Sequence, residues 1–383
     1  MASAAPVRPW TIAPRAPADL AAALPDLHPV AVQVLFTRGL TSPDDMRAFL
    51  SSDRLHDPFL LLGMDRAVTR IRRAIAAGEL IAAHGDFDVD GVTATVVLVE
   101  GLAASGARVI PYIPLRTATG YGFHPSAVER LAADGVTLIV TGDTGTRAVE
   151  ATRRAAELGV DVVITDHHLA GETLPAAVAL VNPHQAGCPY PFKELSGVGV
   201  AWKLIDALHQ QAPLRGISPE HLLDLVALGT IVDVSPLVGE NRALVRRGLQ
   251  RLASSARPGI RALISQSARD GGAALDERTV AFTLGPRLNA AGRMESADLA
   301  FELLSTSDHA RALELVRSLE EKNQLRQHLT EDVLIAAREQ AAAGAQAGHP
   351  LLLVRGTGWP GGVLGLVAAR LSEEFNRPAL IVD

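Results

Sequence analysis

His84-Gly85-Asp86-Phe87-Asp88-Val89-Asp90-Gly91 sets three carboxylates at alternate positions, with an imidazole just before them. Carboxylates this close repel one another unless a cation lies among them. Asp166-His167-His168 adds a carboxylate and two more imidazoles. Oxygen and nitrogen donors mixed in this way suit Mn²⁺ or a similar divalent ion. An acidic run after a strand is often only a solvated turn, and a lone Asp-His-His says less. It is the conjunction that favours a metal site. Two further segments extend it: Thr141-Gly142-Asp143-Thr144-Gly145, and Gly229-Thr230-Ile231-Val232-Asp233-Val234-Ser235-Pro236, where Asp233 closes an apolar run. An Asp at the end of a buried segment costs free energy unless it is paired or holds a metal. Each alone reads as a capping Asp; four in succession at strand ends do not.

The elements that must position these residues begin at Leu80. Strands are expected at Leu80–Ala83, Arg108–Ile113, Thr137–Thr141, Asp161–Thr165 and Ala177–Val181, with helices at Thr93–Ser105, Pro125–Asp134 and Thr146–Leu158 between them. This alternation predicts an α/β fold with a mostly parallel sheet flanked by helices, where strand ends meet in one crevice. Leu222–Val232 reads equally as buried helix or strand. Residues 1–75 read as a peripheral helical lead-in, including a short amphipathic piece from Ser42 to Phe49, and residues 76–300 as the catalytic domain. Ser307 is the expected N-cap of a long proline-free helix, so 301–347 reads as a connector. Residues 348–383 then start a second α/β domain with strand Leu351–Val354, helix Val363–Glu374 and strand Ala379–Val382. The last residue, Asp383, closes that strand, and the sequence reads as a partial chain.

Composition narrows the class. Of 383 residues, 48% are hydrophobic and 4% aromatic, enough for sizeable cores of Ala, Val and Leu. No apolar stretch reaches the roughly 18 residues of a membrane span, and the first residues lack the pattern of a signal peptide. Cys188 is the single cysteine, so no intrachain disulfide can form, which suits a reducing cytoplasm. The net charge of −6 argues mildly against a general nucleic-acid coat, yet a local arginine groove can still meet phosphates.

The constellation resembles the DHH phosphoesterase superfamily and, within it, the RecJ single-strand exonucleases. The likeness extends to Pro189-Tyr190-Pro191-Phe192-Lys193-Glu194-Leu195-Ser196-Gly197-Val198-Gly199, to Arg287-Leu288-Asn289-Ala290-Ala291-Gly292-Arg293, and to Trp359-Pro360-Gly361-Gly362-Val363-Leu364-Gly365. It covers essentially the whole chain. Two positions depart: Pro360 stands where the family usually has His, and Thr144 where it favours Cys or Asn.

The resemblance implies a two-metal site, with Mn²⁺ preferred and Mg²⁺ accepted. On that pattern His84 and Asp88 hold one ion, Asp90, His167 and Asp233 the other, and Asp143 bridges them. Asp86 ligates directly or one shell out, His168 touches the scissile phosphate, and Asp166 orients its neighbours. Arg116 and Tyr121, and Arg287, Asn289 and Arg293 in what reads as a Gly/Ala-rich turn, would meet phosphate and base. The implied activity is 5′→3′ hydrolysis of single-stranded DNA to 5′-mononucleotides in recombination and repair, assisted by a helicase and a single-strand-binding protein. The alternatives are a phosphodiesterase of the same superfamily for small substrates, such as nanoRNA or cyclic dinucleotides, and an inactive replication scaffold. The long connecting helix speaks against the first and the intact ligand positions against the second.

Overall fold

The computed structural model describes residues 10–51, 53–114, 122–269, 275–294 and 296–383, which divide into two compact units. One is Arg54–Asn323; the other joins the segment ending at Asp53 with Gln324–Asp383.

In the smaller unit, helices α1 (Ala18–Ala22), α2 (Pro29–Thr37) and α3 (Pro43–Ser51) bury Leu20, Leu24, Val32, Leu35 and Met46 as one cluster. The larger unit opens with α4 (Met64–Ala77) and then alternates β1 (Leu80–His84), α5 (Val89–Ala104), β2 (Arg108–Tyr112), α6 (Pro125–Ala133), β3 (Leu138–Gly142), α7 (Val149–Glu157), β4 (Asp161–Thr165) and β5 (Ala179–Val181). All five strands pair in parallel in the order β2-β1-β3-β4-β5. Residues of β3 are buried at every position, as expected of a strand covered on both faces. This order reverses direction between β1 and β3, and a ligand crevice forms outside the carboxyl ends of strands at such a switch point. His84 ends β1, Gly142 ends β3 beside Asp143, and Thr165 ends β4 beside Asp166. One end of the sheet therefore receives three of the four motifs.

Helices α8 (Gly197–Gln211), α9 (Leu223–Val232), α10 (Gly239–Ala253) and α11 (Pro258–Arg269) follow, with α12 (Glu277–Thr279), a π-turn at Val280–Leu284, α13 (Gly285–Met294) and α14 (Asp298–Ser305). The 38-residue α15 (His309–Gln346) contributes to both units. Its second half shares a core with β6 (Leu352–Arg355), α16 (Gly361–Phe375) and β7 (Ala379–Val382), in which Val333, Ala337, Val354, Val363 and Leu371 are buried. No helix among the described residues is long and apolar enough to cross a membrane.

Three sequence expectations shift. Leu223–Val232 is helix: the segment is apolar on every side, so it carries no period that separates helix from strand. Asp233 accordingly ends a helix, not a strand. Helix α15 is capped by Asp308, whose Oδ1 accepts from the backbone N–H of Ala310 at 2.8 Å and of Arg311 at 3.3 Å, rather than by Ser307. Finally, α4 is not peripheral, because Met64, Ala67, Ile71 and Ala74 are fully buried in the core that also holds Ile81 and Leu138.

Candidate metal centre

At the end of β1, His84 is fully buried between two rings, stacked on Tyr112 at 5.2 Å and edge-on to Phe123 at 5.0 Å. Neither of its ring nitrogens has a hydrogen-bond partner among the described residues. Burial pushes the imidazole down to about 4, so it is neutral and free to ligate. The chain then turns tightly: a Cβ on Gly91 would lie 2.5 Å from the Asp86 nitrogen, which leaves room only for glycine. Asp88 caps α5, its Oδ1 accepting from the Gly91 N–H at 3.0 Å. Asp86 is pushed up to about 6 by burial and by the Asp88 charge.

Asp90 lies in the first turn of α5 and meets the N-terminus of α8. Its two oxygens accept from the N–H groups of Gly197 at 2.7 Å and Val198 at 2.9 Å. A helix N-terminus offers both unpaired donors and the positive end of its dipole, so it suits a carboxylate. The same end of α8 leaves no room beside Asp143, where a Cβ on Gly197 would fall 2.4 Å from the Asp143 Cβ.

Asp143 has φ 62°, the left-handed region that non-glycine residues rarely occupy. Strain of this kind gathers at functional sites, where the surrounding structure holds it. Its Oδ1 is buried without a hydrogen-bond partner among the described residues and lies 3.1 Å from His167 Nε2. His167 Nε2 is also 3.8 Å from Asp90 Oδ2. Two donor sets have their atoms within 4.8 Å of one another: Asp143 with His167 and His168, and Asp90 with His167 and Asp233. Burial, and then the neighbouring carboxylates, raise Asp90 and Asp143 well above the ordinary range, and burial raises Asp233. Burial likewise lowers His167. Unpartnered donors, neutral imidazoles and carboxylates crowded together against their own repulsion fit divalent cations.

Asp166 does something different. Its Oδ1 accepts from the backbone N–H of His167 at 2.7 Å and of His168 at 3.2 Å, and from His168 Nδ1 at 2.7 Å. Its Oδ2 accepts from the Thr146 N–H at 2.8 Å. Burial alone would raise this carboxyl, but the His168 bond and charge outweigh it and hold Asp166 at about 2. The same bond lifts His168 to about 9. Asn182 ties the loop down, donating to Thr146 Oγ1 at 2.8 Å and to the His168 carbonyl at 2.9 Å.

Sequence reasoning missed Asn182, Thr146, Ser235 and the α8 backbone. Asn182 follows β5, so extending the search along strand ends by one strand would have found it. Ser235, whose hydroxyl donates to Asp233 Oδ2 at 2.5 Å, has no such signal. Neither donor set includes His84, Asp86 or Asp88, whereas His168 falls within one of them.

Arg287, Asn289 and Arg293 lie on helix α13, not in a turn. Arg287 Nε pairs with Glu320 at 2.7 Å and its Nη1 donates to the Thr283 carbonyl at 2.8 Å. Asn289 Oδ1 accepts from the Val89 N–H at 3.1 Å, and a Cβ on Gly292 would lie 2.4 Å from the Phe87 carbonyl oxygen. This helix therefore braces the first acidic motif. Arg116 and Tyr121 lie outside the described residues.

A parallel sheet whose switch point gathers acidic and imidazole donors defines an α/β domain built to hold divalent metal. Residues 80–230 match the model of the DHH family, N-terminal domain. The single-stranded-DNA-specific exonuclease RecJ of Bacillus subtilis is 43% identical over 361 residues, covering 93% of this chain and 44% of that protein. A crystal structure of RecJ from Thermus thermophilus in complex with Mn²⁺ matches with TM-score 0.81 at 35% identity, over 95% of this chain and 51% of that one. A crystal structure of exonuclease RecJ bound to manganese matches with TM-score 0.75 at 38% identity, over 84% of this chain and 80% of that one. The chain belongs to the RecJ family of DHH proteins. It spans about half the length of the Bacillus and Thermus relatives.

Proposed function

We propose that this chain hydrolyses single-stranded DNA from its 5′ end, releasing 5′-mononucleotides in recombination and repair. One observation supports the reading: Asp143, His167 and His168, and Asp90, His167 and Asp233, form two donor sets that share His167, while the His84 ring nitrogens and Asp143 Oδ1 are buried without a hydrogen-bond partner among the described residues. Mn²⁺ is the favoured cofactor, as in the RecJ structures bound to manganese, with Mg²⁺ as a substitute. Two divalent ions in such a site supply an activated water and stabilise both oxygens of an in-line displacement at phosphorus.

The residues divide that work. His84 and Asp88 would hold one ion and Asp90, His167 and Asp233 the other, with Asp143 between them and Asp86 at the margin. The α8 N-terminus fixes the Asp90 carboxylate. Asp166 accepts from His168 Nδ1 and so fixes the ring, and His168 would meet the scissile phosphate and the charge that develops there. Arg116, Tyr121 and Arg293 would meet the strand by phosphate forking and base stacking. Arg287 and Asn289 serve that surface by bracing α13. On this reading residues 76–300, with α4 packed into their core, would be the catalytic domain, 301–347 the connector, and 348–383 part of a DHHA1-like domain. Such an enzyme works in the cytoplasm on strands exposed by a helicase or covered by a single-strand-binding protein.

The test is digestion of single-stranded DNA labelled at either end, with Mn²⁺ or EDTA, beside duplex DNA and a dinucleotide. Metal-dependent release of mononucleotides from the 5′ end of the single strand is the expected result. Cleavage of the dinucleotide alone would replace this reading with a small-substrate phosphodiesterase.

A further inference from the structure

Phe282 is 74% exposed at the centre of the π-turn Val280–Leu284, whose ends Val280 and Leu284 are buried. Single exposed apolar side chains are ordinary on protein surfaces. Three observations bear on this one. The Arg278 guanidinium lies over the ring, 5.6 Å from its centroid. Gly285 packs directly on Val232, the residue before Asp233, since a Cβ there would fall 2.7 Å from Val232 Cγ2. Val234, on the other side of Asp233, is 84% exposed and held at φ 63°, a costly conformation for a β-branched residue. Beyond the turn, α13 runs straight to the first acidic motif, where Asn289 takes the Val89 N–H. Seven residues separate Phe282 from Asn289, about 10 Å at the rise of a helix.

We infer that Phe282 and Arg278 form a stacking platform for one base of the substrate strand, on the Asp233 flank of the metal centre. This deepens the proposed function and rests on its reading of single-stranded DNA as the substrate. Every base has a π-face, so an exposed ring grips a single strand without regard to sequence, and an arginine beside it adds cation–π contact and charge for phosphate. Single π-turns recur at functional sites, where the extra residue turns a side chain out of the helix packing. Here the side chain turned out is the ring.

The experiment measures steady-state cleavage of 5′-phosphorylated oligothymidylate by the whole chain with Mn²⁺, for wild type, F282A and F282W. A second series replaces one base at a time by an abasic site. F282A is expected to raise KM by roughly 5- to 150-fold with kcat little changed, the range for losing one stacked base. F282W should stay within about twofold of wild type, because indole stacks as phenyl does. One abasic position should cost wild type as much as F282A does, and cost F282A nothing more. A merely structural phenylalanine would not single out one position of the strand.

An unchanged KM in F282A, or equal sensitivity of F282A and wild type at every abasic position, overturns the platform while the substrate reading stands. If wild type cleaves no single-stranded DNA, the substrate reading fails and the platform fails with it.

Discussion

Asp166 accepts four hydrogen bonds, so little of its carboxylate is left for a metal. Its effect passes through His168. Because the folded value of His168, about 9, exceeds its ordinary 6.5, this pair stabilises the fold fully below pH 6.5 and loses that contribution as pH rises through 9. Asp166→Asn should bring His168 back towards its ordinary value in an NMR titration of the metal-free protein. A titration still centred near 9 would show that other charges hold the proton. The variant should also lose about 10- to 100-fold in metal affinity, the usual cost of removing a group that orients ligands. Asp143→Ala should abolish hydrolysis while circular dichroism shows an intact fold; appreciable activity would remove Asp143 from the centre of the site. At this scale the sequence was most legible where donors cluster. Asp90, Asp143, His167 and Asp233, which the fold brings together, stand out by residue type at the ends of apolar segments, while Asn182 and Ser235 are single polar residues whose role depends on what the fold brings near them.

Helix α8 shows how an element, rather than a residue, can serve the site. Its first two N–H groups hold Asp90, and the absence of a side chain on Gly197 lets it approach Asp143. Gly197→Ala would press a methyl group into the Asp143 side chain. It is expected to destabilise the protein by about 1–3 kcal/mol, as overpacking does, and to weaken metal binding together with stability. Denaturant unfolding with and without Mn²⁺ checks both; a variant as stable as wild type with unaltered Mn²⁺ affinity would mean the helix end can yield. The strand–helix alternation from Leu80 to Val181 was readable because buried strands and amphipathic helices differ in period and length. The apolar α9 was not readable in this way, since a segment buried on all sides leaves period silent, and the Gly and Ala residues of α13 looked like a turn where packing in fact demands small side chains in a helix.

Across the molecule, the metal centre sets how stability depends on pH. Without metal, the folded chain keeps protons on Asp90 and Asp143 that the unfolded chain has released. Stability should therefore fall as pH rises through and above the ordinary carboxylate range. Mn²⁺ replaces those protons, so its stabilising effect should grow with pH, reaching about 2.7 kcal/mol when free metal is 100 times its Kd. Thermal unfolding at pH 5.5 and 8 with and without Mn²⁺ should show the larger rise in Tm at pH 8; an equal rise at both would point to metal bound outside the carboxylate cluster. The most direct test of the centre itself is an Mn²⁺ binding isotherm on wild-type protein and on Asp143→Ala. Two ions per wild-type chain, with affinity lost in the variant, is the predicted result. Binding that is absent in wild type, or identical in the two proteins, would contradict a metal centre at the β1–β3 switch point.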